Sequence, residues 1–267
     1  MKTLKPLLIL LGITTTIYSC STVPLTGRRQ LSLVSDSEIN QSAAASYSQL
    51  LSSPQTKVIS GTTEAQRVKR IGGQLATVIE RYLQQNGHAN EYSFNWEFNL
   101  IQSNEVNAWC MPGGKVAIYS GILPITQTDA GLATVMGHEI AHAIARHSAE
   151  RMSQELASQA GGSLIGAATG GKSAATQQII GQLYGVGGQL AMLHYSRGQE
   201  LESDRLGLMF MAMAGYDPNE AVGFWQRMGA QNKGGSPPEF LSTHPADATR
   251  IAAIRNAIPE AMKYYKK

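Results

Sequence analysis

The chain has 267 residues, of which 43% are hydrophobic and 15% charged, a composition typical of a globular protein and not of a disordered or collagen-like one. Its formal net charge of +3 excludes the strongly basic field that a nucleic-acid-binding surface requires. The two cysteines, Cys20 and Cys110, are too few and too far apart for a disulfide framework or a CxxC metal site. Any bound metal must therefore be held by histidine and carboxylate side chains.

The segment Met1–Ser19 has the features of a secretory signal peptide. Two lysines precede an apolar stretch from about Leu7 to Ile17, which is too short to span a membrane. The small residue followed by Cys20 is similar to a bacterial lipobox, in which the cysteine is diacylated, and an ordinary cleaved signal is the alternative. We expect residues 20–29 to form a tether and residues 30–267 to form a single domain.

Helices and a small sheet are predicted in the first half of the domain. Apolar residues at helical spacing predict helices from Asp36 to Leu51 and from Thr62 to Gln85. The segment from Tyr92 to Ile101 alternates apolar and polar residues, and Lys115 to Tyr119 is rich in strand formers after a Pro-Gly-Gly turn. We expect these two strands to lie in a small antiparallel sheet.

The second half is predicted to be helical. Thr128 or Asp129 caps a helix that runs towards Ser153, and a helix pair fills residues 154–193. Further helices are expected at about 198–214, at 219–228 and after His244, with a Gly- and Pro-rich loop at 234–238. The fold class is therefore α+β and mainly helical.

The motif His138-Glu139-Ile140-Ala141-His142 carries the chemistry. Residues four apart on a helix lie 40° apart on the helical wheel, so both imidazoles point the same way and can bind one metal ion. Glu139 can then act as general base on a water bound to that ion. A solvated, charged helix face fits poorly, because this helix is apolar nearly all round.

A catalytic zinc site needs a third protein ligand, and the stretch from Glu200 to Asp204 offers candidates. On the helical wheel Glu200 and Asp204 share the buried face, whereas Glu202 points to solvent and Arg205 to the rim. We therefore predict Glu200 as the third ligand. Asp204, one turn later, is placed to accept a hydrogen bond from the outer nitrogen of a zinc-bound histidine.

Five motifs in order give the chain a family resemblance. TGRRQLSLVSD, NAWCMPGGKVAIYSGIL, HEIAH, SRGQELESD and STHPADATRI are similar to the M48 family of zinc metalloendopeptidases, from Thr26 to about Ile254. The resemblance implies a zincin (gluzincin-like) fold, one Zn²⁺ per chain and Glu200 as third ligand. It also implies a bacterial lipoprotein member of the family, and we expect no tetratricopeptide domain after the protease. The sequence departs from the family pattern at Cys110 and Ser203, neither of which is a proposed ligand.

Two further features of the site are expected. A substrate peptide would add as a strand at the sheet edge near Val116 to Tyr119. The residues proposed for this substrate-binding strand are Asn107, Ala108, Gly113, Gly114, Val116 and Ile118. His244 follows the Gly- and Pro-rich loop, whose composition is typical of a loop that moves over a cleft. The similar THP motif of the family lies near the zinc. His244 is either an inhibitory fourth ligand or an oxyanion donor, unless it only caps the last helix.

Other candidates have ordinary interpretations. His147 is five residues after His142 and 140° from the zinc face, and His88 and His194 lie outside any motif. Cys110 is interpreted as a small buried apolar residue. The spacing Gly181-xxx-Gly185 indicates close packing of two soluble helices more than a membrane span.

Two classes of function remain. The first is a zinc endopeptidase that cleaves unfolded or unassembled envelope proteins, anchored by lipid to a membrane, the outer one by expectation, and facing the periplasm. The second is a membrane-tethered lipoprotein that binds client proteins, in which the zinc is structural and there is little turnover. The glutamate after the first histidine favours the enzyme. The ligand set of two histidines and one glutamate favours it too, because structural zinc sites are usually closed by four Cys or His ligands.

Overall fold

A computed structural model describes residues 20–160, 195–231 and 238–266 of the chain. Its larger sheet has four strands in the order β3-β4-β6-β5. Their bounds are β3 Val58–Ile59, β4 Glu97–Ile101, β5 Ala108–Met111 and β6 Lys115–Tyr119. Two of the three strand pairs are antiparallel, as expected for the sheet, but β4 and β6, the two strands predicted from the sequence, pair with each other in parallel. The strand expected from Tyr92 begins only at Glu97.

Helices account for most of the remaining described residues. They are α1 Asp36–Ser52, α2 Thr63–Gln85, α3 Leu123–Thr126, α4 Asp129–Ile144, α5 His147–Ala160, α6 Arg197–Met213, α7 Glu220–Ala230, α8 Glu239–Thr243 and α9 Ala248–Ala261. The mainly helical α+β class is thus confirmed. The signal peptide, most of the predicted helix pair at 154–193, His194 and most of the 234–238 loop lie outside the described residues.

Helix α4 is the centre of the molecule. It is buried along almost its whole length and packs against both β5 and α6. The crossing of α4 and α6 is close because glycines face each other there: a Cβ added to Gly137 would lie 2.9 Å from the carbonyl oxygen of Gly207. This contact between two backbones brings the side chains of the two helices into one buried site.

The helix predicted from Asp129 to Ser153 is broken. Helix α4 ends at Ile144, Arg146 has a positive φ of 56°, and α5 begins at His147. A non-glycine residue in this backbone region is uncommon, and Arg146 is held there by tertiary contacts. Its side chain pairs with Asp36 and lies over the ring of Tyr92. The break changes the direction of every side chain that follows it.

Residues 20–29, expected to form a tether, include an ordered strand and turn. Strand β1, Cys20–Thr22, pairs antiparallel with β2, Arg29–Leu31, in a two-stranded sheet. The turn between them folds onto the domain, because Val23 is fully buried in the main hydrophobic core. We call residues 20–31 the N-terminal hairpin.

No helix among the residues that the structure describes combines the length and the hydropathy needed to cross a bilayer.

Candidate metal centre

Four buried side chains from three parts of the fold converge at one point. His138 and His142 come from α4, Glu200 from the first turn of α6, and His244 from the end of α8. Each offers one ligand atom, and these atoms all lie within 4.8 Å of one another. The sequence motif supplies two of them, and the chain must fold to add the others.

The spacing within this cluster fits a tetrahedral zinc ion. Nε2 of His138 lies 3.1 Å from Nε2 of His142 and 3.2 Å from Nδ1 of His244. Glu200 oxygens lie 3.6, 3.3 and 2.9 Å from the ligand nitrogens of His138, His142 and His244. Zinc bonds of about 2.0–2.1 Å at tetrahedral angles separate ligand atoms by about 3.3 Å. The donor set of imidazoles and one carboxylate suits zinc as well.

Local sequence fixes the helix that carries Glu200. Ser196 caps α6 by accepting from the backbone of Gln199, whose side chain accepts in return from the backbone N–H of Ser196. This capping box starts the helix at Arg197 and puts Glu200 in its first turn. The carboxylate is buried, which by itself raises its pKa, but the imidazoles around it, His244 first and then His138 and His142, outweigh burial and lower the pKa.

Burial and neighbouring groups shift the pKa values of the two motif histidines in opposite directions. Burial lowers the pKa of His142 well below its ordinary value, which favours the neutral form that binds metals. Burial would also lower the pKa of His138, but its hydrogen bonds with the carboxylates of Asp204 and Glu200 outweigh that effect and raise it to about 9. Both rings are nearly inaccessible to solvent, so they face the cluster and not bulk water.

Asp204 and Arg250 surround the cluster on the His138 side. Asp204 Oδ1 lies 3.0 Å from Nδ1 of His138, where the helical wheel places it. Arg250 donates to both Asp204 oxygens at 2.8 and 2.9 Å and pairs with Glu200 at 2.8 Å. Its guanidinium stacks 3.7 Å from the ring centre of Trp225. Sequence reasoning missed Arg250, and the only signal for it was its position in the STHPADATRI motif.

His147 is the second residue that sequence reasoning missed. Its Nδ1 lies 2.8 Å from Nδ1 of His142, and its Nε2 lies 3.0 Å from Glu202. The expectation that His147 points away from the site assumed a continuous helix, and the break at Arg146 invalidates that wheel. Glu202 is likewise not solvated as expected: it contacts His147, Thr26 and Arg28.

Glu139 lies beside the cluster in a dry environment. Burial raises the pKa of its carboxyl above the ordinary value. Its Oε1 is buried and has no hydrogen-bond partner among the described residues, although Nε2 of His244 lies 3.5 Å away. An unsatisfied buried carboxylate is costly for folding, and such groups are concentrated at functional sites.

Contacts outside the cluster also hold His244 in place. Its backbone N–H donates to the carbonyl of Phe240, and Phe240 is buried and stacked on Trp225. Phe240 in turn donates its backbone N–H to the carbonyl of Val106, beside β5. The short helix α8 thus presents His244 to the metal ligands.

The expected substrate strand is wrong in part. Val116 and Ile118 lie in β6, which is paired on both sides by β4 and β5, so its backbone cannot accept an added strand. The strand that borders the sheet on this side is β5, which contains Ala108 and follows Asn107. Gly113 and Gly114 form the turn from β5 to β6 with φ of 77° and 84°. Cys110, in β5, is buried as expected, and burial raises its thiol pKa.

The fold and the site therefore define a protein of the zincin kind, with an HExxH helix crossed by a helix that carries a glutamate. Residues 69–258 match Peptidase family M48, and the chain belongs to this family. The resemblance found in the motifs is thereby confirmed.

Similar proteins carry protease names. The chain is 36% identical over 194 residues to "Mitochondrial metalloendopeptidase OMA1" of Schizosaccharomyces pombe, which covers 70% of this chain and 53% of that protein. The protein of the same name from Saccharomyces cerevisiae is 37% identical over 64% of this chain and 50% of its own length. "Beta-barrel assembly-enhancing protease" of Escherichia coli K12 is 32% identical over 63% of this chain and 36% of its own length. The chain thus spans about half or less of these relatives.

Proposed function

We propose that the protein is a zinc-dependent endopeptidase whose ion is held by His138, His142 and Glu200. The observation that carries this proposal is the convergence of these three side chains at ligand-to-ligand distances of 3.1 to 3.6 Å, with a buried glutamate beside them. Membership of family M48 and the names of the relatives support it.

Several residues have separate roles in the proposed hydrolysis. Zinc, when bound, lowers the pKa of a coordinated water and polarises the scissile carbonyl. Glu139 takes the proton of the attacking water and delivers it to the leaving amine nitrogen. Its burial supports this role, because a carboxyl with a raised pKa is a better base and acid near neutral pH. Asp204 orients His138 through Nδ1, and Arg250 neutralises the charge of Asp204 and Glu200.

His244 is proposed as a fourth ligand in the resting state. Its Nδ1 lies 3.2 Å from Nε2 of His138 and 2.9 Å from Glu200, the spacing of the other ligand atoms. A catalytic zinc needs an open position, so His244 must leave before substrate and water bind. The role as oxyanion donor requires the ring to be near the substrate carbonyl and not among the ligands, so this geometry favours inhibition.

The substrate is proposed to be an extended peptide added along β5. This strand borders the sheet, packs on the HExxH helix and lies next to the segment that anchors α8. Main-chain hydrogen bonds to a sheet edge accept many sequences, which suits unfolded or unassembled envelope proteins. The name of the Escherichia coli relative and the lipobox-like Cys20 support a lipid-anchored, periplasm-facing protein, with the outer membrane as the proposed site.

Glu139→Gln tests the mechanism. Glutamine keeps the shape but not the base, so casein cleavage should fall by about 10²- to 10⁴-fold with zinc content unchanged. Glu64→Gln, in the exposed first turn of α2, is the matched control and should cleave as the unaltered protein does. Cleavage by Glu139→Gln at the control rate would show that the assigned mechanism is wrong. A zinc-loaded, unaltered protein without turnover would favour the client-binding alternative.

A further inference from the structure

A second polar network lies behind His142, on the side of the N-terminal hairpin. His142 directs Nε2 into the metal cluster, and its Nδ1 lies 2.8 Å from Nδ1 of His147. Nε2 of His147 donates to the carboxylate of Glu202 at 3.0 Å. With both rings neutral, His147 Nδ1 must then accept the proton of His142 Nδ1. This arrangement leaves the lone pair of His142 Nε2 free for a metal.

Arg28 of the hairpin closes the network. Its Nε donates to Glu202 at 2.6 Å, and its Nη1 donates to Glu150 at 3.0 Å. Glu150 also accepts from the Gln199 side chain at 2.8 Å. One guanidinium thus bridges the carboxylates of α5 and α6, a geometry for which arginine is suited and lysine is not.

The groups that Arg28 bridges are largely buried, so the loss of its charge should be costly. His147 is fully buried, and the side chains of Glu202 and Glu150 are only about a tenth exposed. A carboxylate in such a place is costly when its cationic partner is removed. The hairpin holds Arg28 in position through the β1–β2 pairing and the fully buried Val23.

We propose that Arg28 is a positioning residue of the metal centre, acting through Glu202 and His147 on the ring orientation and tautomer of His142. Through Arg28, the N-terminal hairpin then helps to position a metal ligand, in addition to packing against the domain. This inference rests on the metal site proposed above. Outer hydrogen bonds of this kind fix the angle at which a ligand meets its metal.

Zinc affinity of the purified chain, measured by chelator competition, tests the proposal. Removal of a direct partner of a zinc ligand typically costs about 10- to 100-fold in affinity, and we expect this for His147→Ala. Arg28→Ala should cost less, roughly 3- to 10-fold, because two side chains intervene. Arg29→Ala is the matched control: it removes the same charge from the neighbouring exposed position and should leave the zinc affinity unchanged. Arg28→Lys should restore part of the loss.

The double variant and the apo protein separate positioning from stability. If Arg28 acts through His147, the losses of affinity in Arg28→Ala and His147→Ala should not add in the double variant. The unfolding temperature of the zinc-free proteins is measured beside the affinities. An Arg28→Ala protein that unfolds at a lower temperature but binds zinc as the Arg29→Ala control does would overturn the proposal, as would additive losses.

If Arg28→Ala does not fold, Arg28→Gln, which keeps the side-chain stem and an amide donor, replaces it with the same expected direction and the same contrary result. Failure of the unaltered protein to bind zinc would contradict the proposed metal site itself, and it would be seen before any variant is compared.

Discussion

Single residues of the site were predictable where one regular helix determines their direction. His138 and His142 meet as the helical wheel requires, and so do Glu200 and Asp204 on α6. Glu202 shows what a helical wheel cannot predict. Its side chain points away from the cluster, but it is largely buried by another part of the chain and is not exposed to solvent. The N-terminal hairpin covers that face of α6 and pairs Glu202 with Arg28.

Glu200→Gln and Glu202→Gln should differ in degree. Glu200 is within 3.6 Å of both motif histidines, so loss of its charge should release most of the zinc. Glu202→Gln keeps an acceptor for His147 and should reduce zinc affinity about 10-fold or less. Metal analysis of the two purified variants after dialysis checks this. Equal zinc in both would contradict the assignment of Glu200 as ligand.

His244→Ala should raise basal proteolysis with zinc retained. The imidazole occupies a ligand position in this structure, and its removal opens that position. The rate of casein cleavage and the zinc content of the variant are the measurements. A lower kcat with full zinc would instead support the oxyanion role, and an unchanged rate would leave His244 as a residue that caps and packs.

At the scale of elements, the crossing of α4 and α6 determines the site. Glu200 reaches the motif histidines only because Gly137 and Gly207 let the two helix backbones touch. Overpacking a tight contact typically costs about 1–3 kcal/mol. Gly137 directly precedes the ligand His138, and Gly207 lies about two turns after Glu200, so both glycines support the metal centre through the packing of the two helices.

Gly137→Ala should lower both stability and zinc affinity. The added methyl group would lie 2.9 Å from the carbonyl of Gly207, so α6 must move and carry Glu200 with it. Gly73→Ala is the matched control, since that helical position in α2 has nothing within 4 Å of the added Cβ. Alanine there should stabilise the helix by about 0.5–1 kcal/mol. Thermal unfolding and zinc affinity of both variants decide between these expectations.

The elements also show what sequence alone could not provide. Helix ends with caps, such as Ser35 before α1 and Thr62 before α2, follow from local side chains and were predicted within about two residues, a usual uncertainty for such boundaries. The break at Arg146 depends on Asp36 and Tyr92, which are far away in the chain. His147 was misplaced for that reason.

At the scale of the whole molecule, the order of strands depends on contacts that no local pattern records. The sequence pattern predicted the strand Lys115–Tyr119, but the parallel pairing with β4 makes it central and leaves β5 at the edge. The hairpin is a similar case. Its residues look like a linker until Val23 and Arg28 find partners on α5, α6 and the core.

Cys20→Ser tests the proposed membrane anchor of the whole protein. Cys20 is exposed at the start of the hairpin, and its backbone pairs with Leu31. The substitution removes the thiol that would carry the acyl chains but keeps the strand pairing. We expect a protein without acyl mass that no longer sediments with bacterial membranes, because stable anchoring takes two acyl chains. Its zinc affinity should equal that of the unaltered protein. Cys110→Ser, in the buried strand β5, is the control and should remain acylated. An unaltered protein whose N-terminal peptide carries no acyl mass in the mass spectrometer would refute lipidation and leave the hairpin as a purely structural element.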